Sequence, residues 1–253
     1  MEIPPQIAAD PSLLSHQVSF SQLMNALTRS ALSYWQSSIG KKLIVAVTGI
    51  MMVLFLAGHL TGNLLIYAGR EAFNDYAEFL HGAGHGALIW VARIGLLGAV
   101  GLHVVATVAL TRQNKAARKV QYEYKQTIQA KKSSLIMIWS GLTILAFVIF
   151  HILHFTVRTN SDLAAIGETD PYGMVIAGFN FGLLNSLVVL FYIIAMTLLC
   201  SHLSHGVASV FQTLGWRSKK AQGLIQKVSI GYAVFIWVGF ISVPVTIFIG
   251  LVK

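Results

Sequence analysis

Six of the nine histidines in this 253-residue chain fall within apolar stretches: His59, His103, His151, His154, His202 and His205. An imidazole in hydrocarbon is costly unless it is hydrogen-bonded, metal-bound or open to a polar cavity, so each is a candidate functional group. Their spacing sorts them by depth. His59 stands 17 residues after Lys42 and His151 19 after Lys132, roughly 25–29 Å from a shared basic boundary if helical. His103 lies nine residues before Arg112 and His202 15 before Arg217, roughly 14 and 22 Å from that boundary. Two pairs at two depths suit two stacked metallocentres. Neutral imidazoles provide both axial ligands of a haem iron, whereas bare zinc commonly takes four protein donors, or three and water, at one depth. A proton relay or plain interhelical hydrogen bonding is the alternative.

Elements that cross a membrane must hold these side chains. Apolar runs near 43–67, 88–111, 134–157, 180–210 and 228–250 meet or exceed the roughly 20 residues that span a bilayer as a helix. With 55% hydrophobic and 11% charged residues and a mean hydropathy of +0.69, the chain excludes a large water-soluble catalytic domain. The expectation is an all-α integral membrane protein, a five-transmembrane-helix bundle enclosing two stacked b haems. Residues 1–36 form a cytoplasmic or interfacial amphipathic segment, and residues 37–253 the bundle. The single cysteine, Cys200, leaves no intramolecular disulfide and no thiolate-rich iron–sulfur or zinc site.

The formal charge of +9 is distributed by side. Arg29, Lys41 and Lys42 precede span one. Arg112, Lys115, Arg118, Lys119, Lys125, Lys131 and Lys132 fill the link between spans two and three, and Arg217, Lys219, Lys220 and Lys227 lie between spans four and five. All fall on one face, which the positive-inside rule assigns to the cytoplasm, with the N-terminus there and the C-terminus outside. This face suits anionic lipid or a cytoplasmic partner subunit, not nucleic acid.

Between these anchors the sequence predicts a short interfacial helix over 71–80 before a glycine-rich turn, a helical extension into solvent over 116–129, and a kink at Pro244. Span four, read as Phe179 to Phe211, is long enough to tilt or project. Gly49, Gly58, Gly62, Gly95, Gly98, Gly101, Gly141 and Gly206 permit close helix packing or leave room for a planar cofactor.

The runs Ser37-Ser38-Ile39-Gly40-Lys41-Lys42, Gly58-His59-Leu60-Thr61-Gly62-Asn63 and His202-Leu203-Ser204-His205-Gly206, then Phe211-Gln212-Thr213-Leu214-Gly215, resemble the diheme cytochrome b membrane anchor of succinate:menaquinone oxidoreductases and fumarate reductases. The likeness extends from about residue 34 to 250. It implies that His59 and His151 bind a distal, outer haem and His103 and His202 a proximal, inner one. His154 and His205, one turn further on, compete with His151 and His202 or bond to propionates, backbone or water.

The resemblance also implies that electrons from cytoplasmic flavoprotein and iron–sulfur subunits, which carry the FAD and the clusters, reach menaquinone through the two haem b groups in a bacterial cytoplasmic membrane. The net direction reverses in a fumarate reductase, and this chain does not oxidise succinate alone. Propionates need donors: Ser37, Lys41, Arg217 and Lys219 are candidates for the inner haem and Arg93 for the outer. A quinone site draws on Glu71, Asn74, His85 and Arg93. His81 and His85 read as interfacial, and Tyr67, Trp90, Tyr172 and Trp216 as membrane-belt anchors. A histidine-containing transporter, a cofactor-free scaffold and a diheme subunit of another dehydrogenase are the alternatives.

Overall fold

A computed structural model describes residues 20–117 and 137–253. His16, most of the basic link after span two and the expected extension over 116–129 beyond its first two residues lie outside the described residues. In chain order the α-helices are α1 (Phe20–Gln36), α2 (Ser38–Leu64), α3 (Arg70–Gly82), α4 (Ala87–Ala116), α5 (Met137–His151), α6 (Ser161–Gly167), α7 (Pro171–Phe179), α8 (Leu183–Thr213) and α9 (Gln222–Phe248). A 3-10 turn, Leu65–Ala68, extends α2, and a π-helical turn, Ile152–Val157, extends α5. The described residues contain no strand.

Helices α2, α4, α5, α8 and α9, the first and third with their extensions, are long and apolar enough to cross a membrane. The chain is a multi-pass membrane protein by this measure, and its surface agrees: Leu54, Val91, Ile94 and Leu187 are all well exposed, as lipid-facing side chains must be. The expected helix over 71–80 is α3. Span four begins later than expected, at Leu183, because bends at 180–182 separate it from Phe179, which ends the short helix α7. Asn185 fastens that corner by donating to the carbonyls of Ala177 and Asn180, 3.2 and 3.1 Å away. Pro244 sits inside α9, and the helix continues to Phe248.

The core lies where α8 packs along α9 and both meet α2. Leu60, Ala195, Ala233 and Ile236 are fully or almost fully buried there. Gly239 is required at this crossing, since a Cβ on it would stand 2.6 Å from both Leu60 Cδ atoms. Helix α4 packs on α2 and α3 but not comparably on α5 or α8, and α2 likewise stands away from α5. The bundle is therefore looser on that side.

Its two ends differ. The end with Lys41, Lys42 and Arg217 is the basic end. The other is covered by α3, α6 and α7. Arg70 and Asp170 form an ion pair there, with the Arg70 guanidinium 4.9 Å from the Tyr172 ring centroid. Asn74 donates to Asp170 Oδ1 at 2.9 Å and accepts the Tyr172 N–H at 2.8 Å. Burial alone would raise the Asp170 carboxyl. Hydrogen bonds from Asn74 and the Gly173 N–H, with the charge and hydrogen bond of Arg70, outweigh it and hold the group below its ordinary value.

Candidate functional site

The histidines occupy two layers. In the layer nearer the basic end, His103 on α4 faces α2: Thr48 Oγ1 is 3.1 Å from its Nδ1, and a Cβ on Gly49 would stand 3.8 Å from its Cε1. His202 on α8 meets α5 in the same fashion. Ser140 Oγ is 3.2 Å from His202 Nδ1, and a Cβ on Gly141 would stand 3.6 Å from His202 Cε1.

The hydroxyls decide the proton positions. Thr48 donates its one proton to the Ile44 carbonyl at 2.7 Å, and Ser140 donates to Met137 O at 3.1 Å. Where each hydroxyl spends its proton on that carbonyl, its oxygen accepts from the histidine, Nδ1 carries the hydrogen and Nε2 keeps a lone pair. A metal-ligating histidine is held this way, with its second nitrogen donating to a fixed acceptor.

Thr48 to His59 on α2 and Ser140 to His151 on α5 are the same eleven-residue interval, about 16 Å of helix. That step leads to the far layer. His59 and His151 sit with ring centroids 5.8 Å apart and planes at 80°. The two rings are close enough for both to reach one ion, given metal–nitrogen bonds of about 2 Å. Phe55 stacks on His59 at 5.1 Å, Phe147 on His151 at 5.7 Å, and Phe240 of α9 lies 5.7 Å from His59. Asn63 closes the α2 side, donating to the His59 carbonyl at 2.7 Å.

His154 takes a different place. It stands one turn later, inside the π-turn Ile152–Val157, which underwinds the helix. Its ring packs 4.0 Å from Phe155 and 6.0 Å from Phe179, and a Cβ on Gly178 would stand 3.4 Å from its Nε2. Tyr192 of α8 bridges the two rings, its hydroxyl 3.1 Å from His151 Nδ1 and 3.2 Å from His154 Nδ1. One phenolic proton can serve only one of them. With both rings neutral and the phenolic proton given to one Nδ1, the oxygen accepts from the other and the two histidines hold opposite tautomers. One of the pair then has a free Nε2, and His151 is the one facing His59.

The donor set suits haem: four imidazoles from four spans in two layers, His59 beside His151 in one of them, on helices whose backbones stand apart. Among the described residues no three His, Cys, Asp or Glu side chains converge on one point, as a bare-metal cage would require. The glycines divide by role. A Cβ on Gly62 would press on Tyr76, whereas Gly58, Gly95, Gly98, Gly101 and Gly206 face open space.

The other expected site residues are dispersed. Lys41 is 6% exposed and donates to Gln36 O at 3.1 Å, Ser37 O at 3.5 Å and Gln113 Oε1 at 3.2 Å, which ties α1, α2 and α4 together. Ser37 uses its hydroxyl as the α2 N-cap, accepting the Gly40 N–H at 2.8 Å and donating to Tyr34 O at 2.9 Å. Arg217 donates to Gln212 at 2.9 Å, and Lys219 is exposed. His205 lies within electrostatic range of His202. Arg93 lies 5.2 Å from the Trp90 ring centroid. Glu71 and His85 are exposed, and both ends of the Asn74 amide are engaged with α7. No hydrogen bond or ring contact among the described residues joins these four quinone candidates to one another.

Sequence reasoning missed Thr48, Ser140 and Tyr192. Their only signal was a hydroxyl in an apolar run, which is common in membrane helices. Comparison with protein-family models, with curated proteins and with solved structures finds no match.

Proposed function

We propose that the chain is the diheme cytochrome b anchor of a membrane-bound succinate:menaquinone oxidoreductase or fumarate reductase, with His59 and His151 holding one haem b and His103 and His202 the other. The observation that carries this reading is the placing of four imidazoles from four spans in two layers, with the His59 and His151 rings 5.8 Å apart in one of them. When bound, the haems supply one-electron carriers between cytoplasmic flavoprotein and iron–sulfur subunits and menaquinone.

The chain's own residues orient and insulate. Thr48 and Ser140 would fix the basic-end imidazoles through their Nδ1 atoms. Tyr192 holds His151 in the far layer, and the Phe55, Phe147 and Phe240 rings keep that layer apolar. The positive-inside rule places the basic end in the cytoplasm, where the catalytic subunits would dock. Lacking a flavin fold and iron–sulfur cysteines, the chain would not oxidise succinate alone.

Pyridine-hemochrome spectroscopy on the purified protein, with subunit-specific quantification, tests the reading. Two haems b per polypeptide are expected, falling to about one in His59→Ala, His151→Ala, His103→Ala or His202→Ala and unchanged in His154→Ala. Reproducibly zero haem in a cofactor-retaining preparation overturns it. Copurification with both succinate-oxidising subunits tests the assignment to that complex, and haem with an unrelated dehydrogenase redirects it.

The His151–Tyr192–His154 bridge favours a second reading, a proton relay in a transporter. Wild-type chain without haem, together with proton flux lost in Tyr192→Phe, would support that instead.

A further inference from the structure

Helix α1 buries none of its residues, yet it is strongly two-sided. At 3.6 residues per turn, Phe20, Leu23, Met24, Leu27, Ala31, Tyr34 and Trp35 fall within an arc of about 120°. Asn25, Arg29, Ser33 and Gln36 lie opposite. Phe20 is 78% and Leu27 56% exposed, so the apolar stripe of this seventeen-residue helix has no covering among the described residues.

The position of this stripe is determined by α2. Only Ser37, in extended conformation, separates the two helices. The buried Lys41 ammonium grips the end of α1 through the Gln36 and Ser37 carbonyls and lies 5.7 Å from the Trp35 ring centroid. Gly40 approaches the Tyr34 carbonyl so closely that no side chain could replace its hydrogen. The end of α1 is thus clamped to the first turn of a membrane span, and the lipid-facing surface of that span begins at Ile39, 75% exposed. Tyr34 and Trp35 stand at this junction, as aromatic residues do at the headgroup level. Arg29, the one charged residue of α1, lies on the polar face, with Lys41 and Lys42 just beyond.

We infer that α1 is an in-plane membrane helix, its Phe20–Trp35 stripe immersed in the headgroup–acyl boundary at the basic end of the bundle. Such helices sit about 5–10 Å into that boundary. The inference needs only the five spans and stands whether or not the chain binds haem.

The test is spin-label accessibility in the full chain, reconstituted in nanodiscs of phosphatidylcholine and phosphatidylglycerol. In a Cys200→Ser background, single labels are placed through Met24→Cys and Leu27→Cys on the stripe, and Asn25→Cys and Ser33→Cys opposite. The ratio of oxygen to nickel-chelate collision rates is expected to be several-fold higher at 24 and 27 than at 25 and 33. Adding Leu27→Asp to the chain labelled at 24 should bring its ratio down toward that at 25. Equal ratios on the two faces would put α1 in water and overturn the inference. So would protection of 24 and 27 from both reagents, which would place a protein partner or a second copy over the stripe.

Discussion

Thr48 Oγ1 on α2 lies 3.1 Å from His103 Nδ1 on α4, and its own proton is spent on Ile44 O. Where Thr48 donates to Ile44 O, this contact leaves His103 Nε2 free for a ligand. Ser140 does the same for His202 from α5. Each imidazole of the basic-end pair is therefore held from a neighbouring helix.

Loss of such a partner typically costs about 10–100-fold in metal affinity. Thr48→Val, which keeps the shape and removes the hydroxyl, is expected to weaken haem binding at the basic-end pair by about that factor, with the far pair unaffected. Ser140→Ala should act on the same pair. Haem titration of cofactor-depleted protein, resolving the two sites spectrally, measures this. Wild-type affinity in both variants would remove the hydroxyls from the site.

Tyr192→Phe leaves two buried Nδ1 atoms without their shared hydroxyl. An unsatisfied buried polar group costs about 1–3 kcal/mol, so reduced thermal stability is expected. Nitrogen-15 NMR of imidazoles in the cofactor-free chain should find opposite tautomers at His151 and His154 in the wild type. In the variant that fixed opposition should be lost. Matching tautomers in the wild type would contradict the bridge geometry.

At the opposite end, the Asp170 carboxyl is held below its ordinary value of 3.8. A depressed carboxyl contributes stability that is complete above the unfolded value and lost as pH falls through the folded one. Asp170→Asn should lower the melting temperature near neutral pH. The difference from wild type should stay constant above about pH 5 and shrink below about pH 4. A difference independent of pH from neutrality to below the folded value would mean that packing, not charge, holds α7 to α3.

Gly239→Val forces methyl groups into Leu60, the residue next to His59. Overpacking of this kind costs about 1–3 kcal/mol. The expected result is a lower melting temperature and weaker haem binding at His59 and His151. Gly231→Val, on the same helix with open space beside it, should change little, and calorimetry of the two variants separates crowding from loss of glycine.

What the sequence by itself determined is the set of properties that are local along the chain. The length and hydropathy of α2, α4, α5, α8 and α9 follow from each segment alone, because a helix satisfies its backbone hydrogen bonds internally and its side chains must match the lipid. The depth of each histidine follows from a fixed rise per residue. The short helix α3 was legible too, from a polar run between two apolar ones.

Only the tertiary structure decided which imidazole meets which. His151 and His154 look equivalent at helical spacing. The His151 ring lies beside His59, whereas the His154 ring packs on Phe155 and Phe179, and the Tyr192 hydroxyl, supplied by a helix some forty residues away, reaches both. Asn74, chosen from sequence for its place near the membrane surface, is committed to α7 through Asp170 and Tyr172. Lys41, which reads in the sequence as a propionate donor on the basic face, is a buried clamp across α1, α2 and α4. Each of these outcomes depends on hydrogen-bond partners brought from distant parts of the chain, which no local pattern encodes.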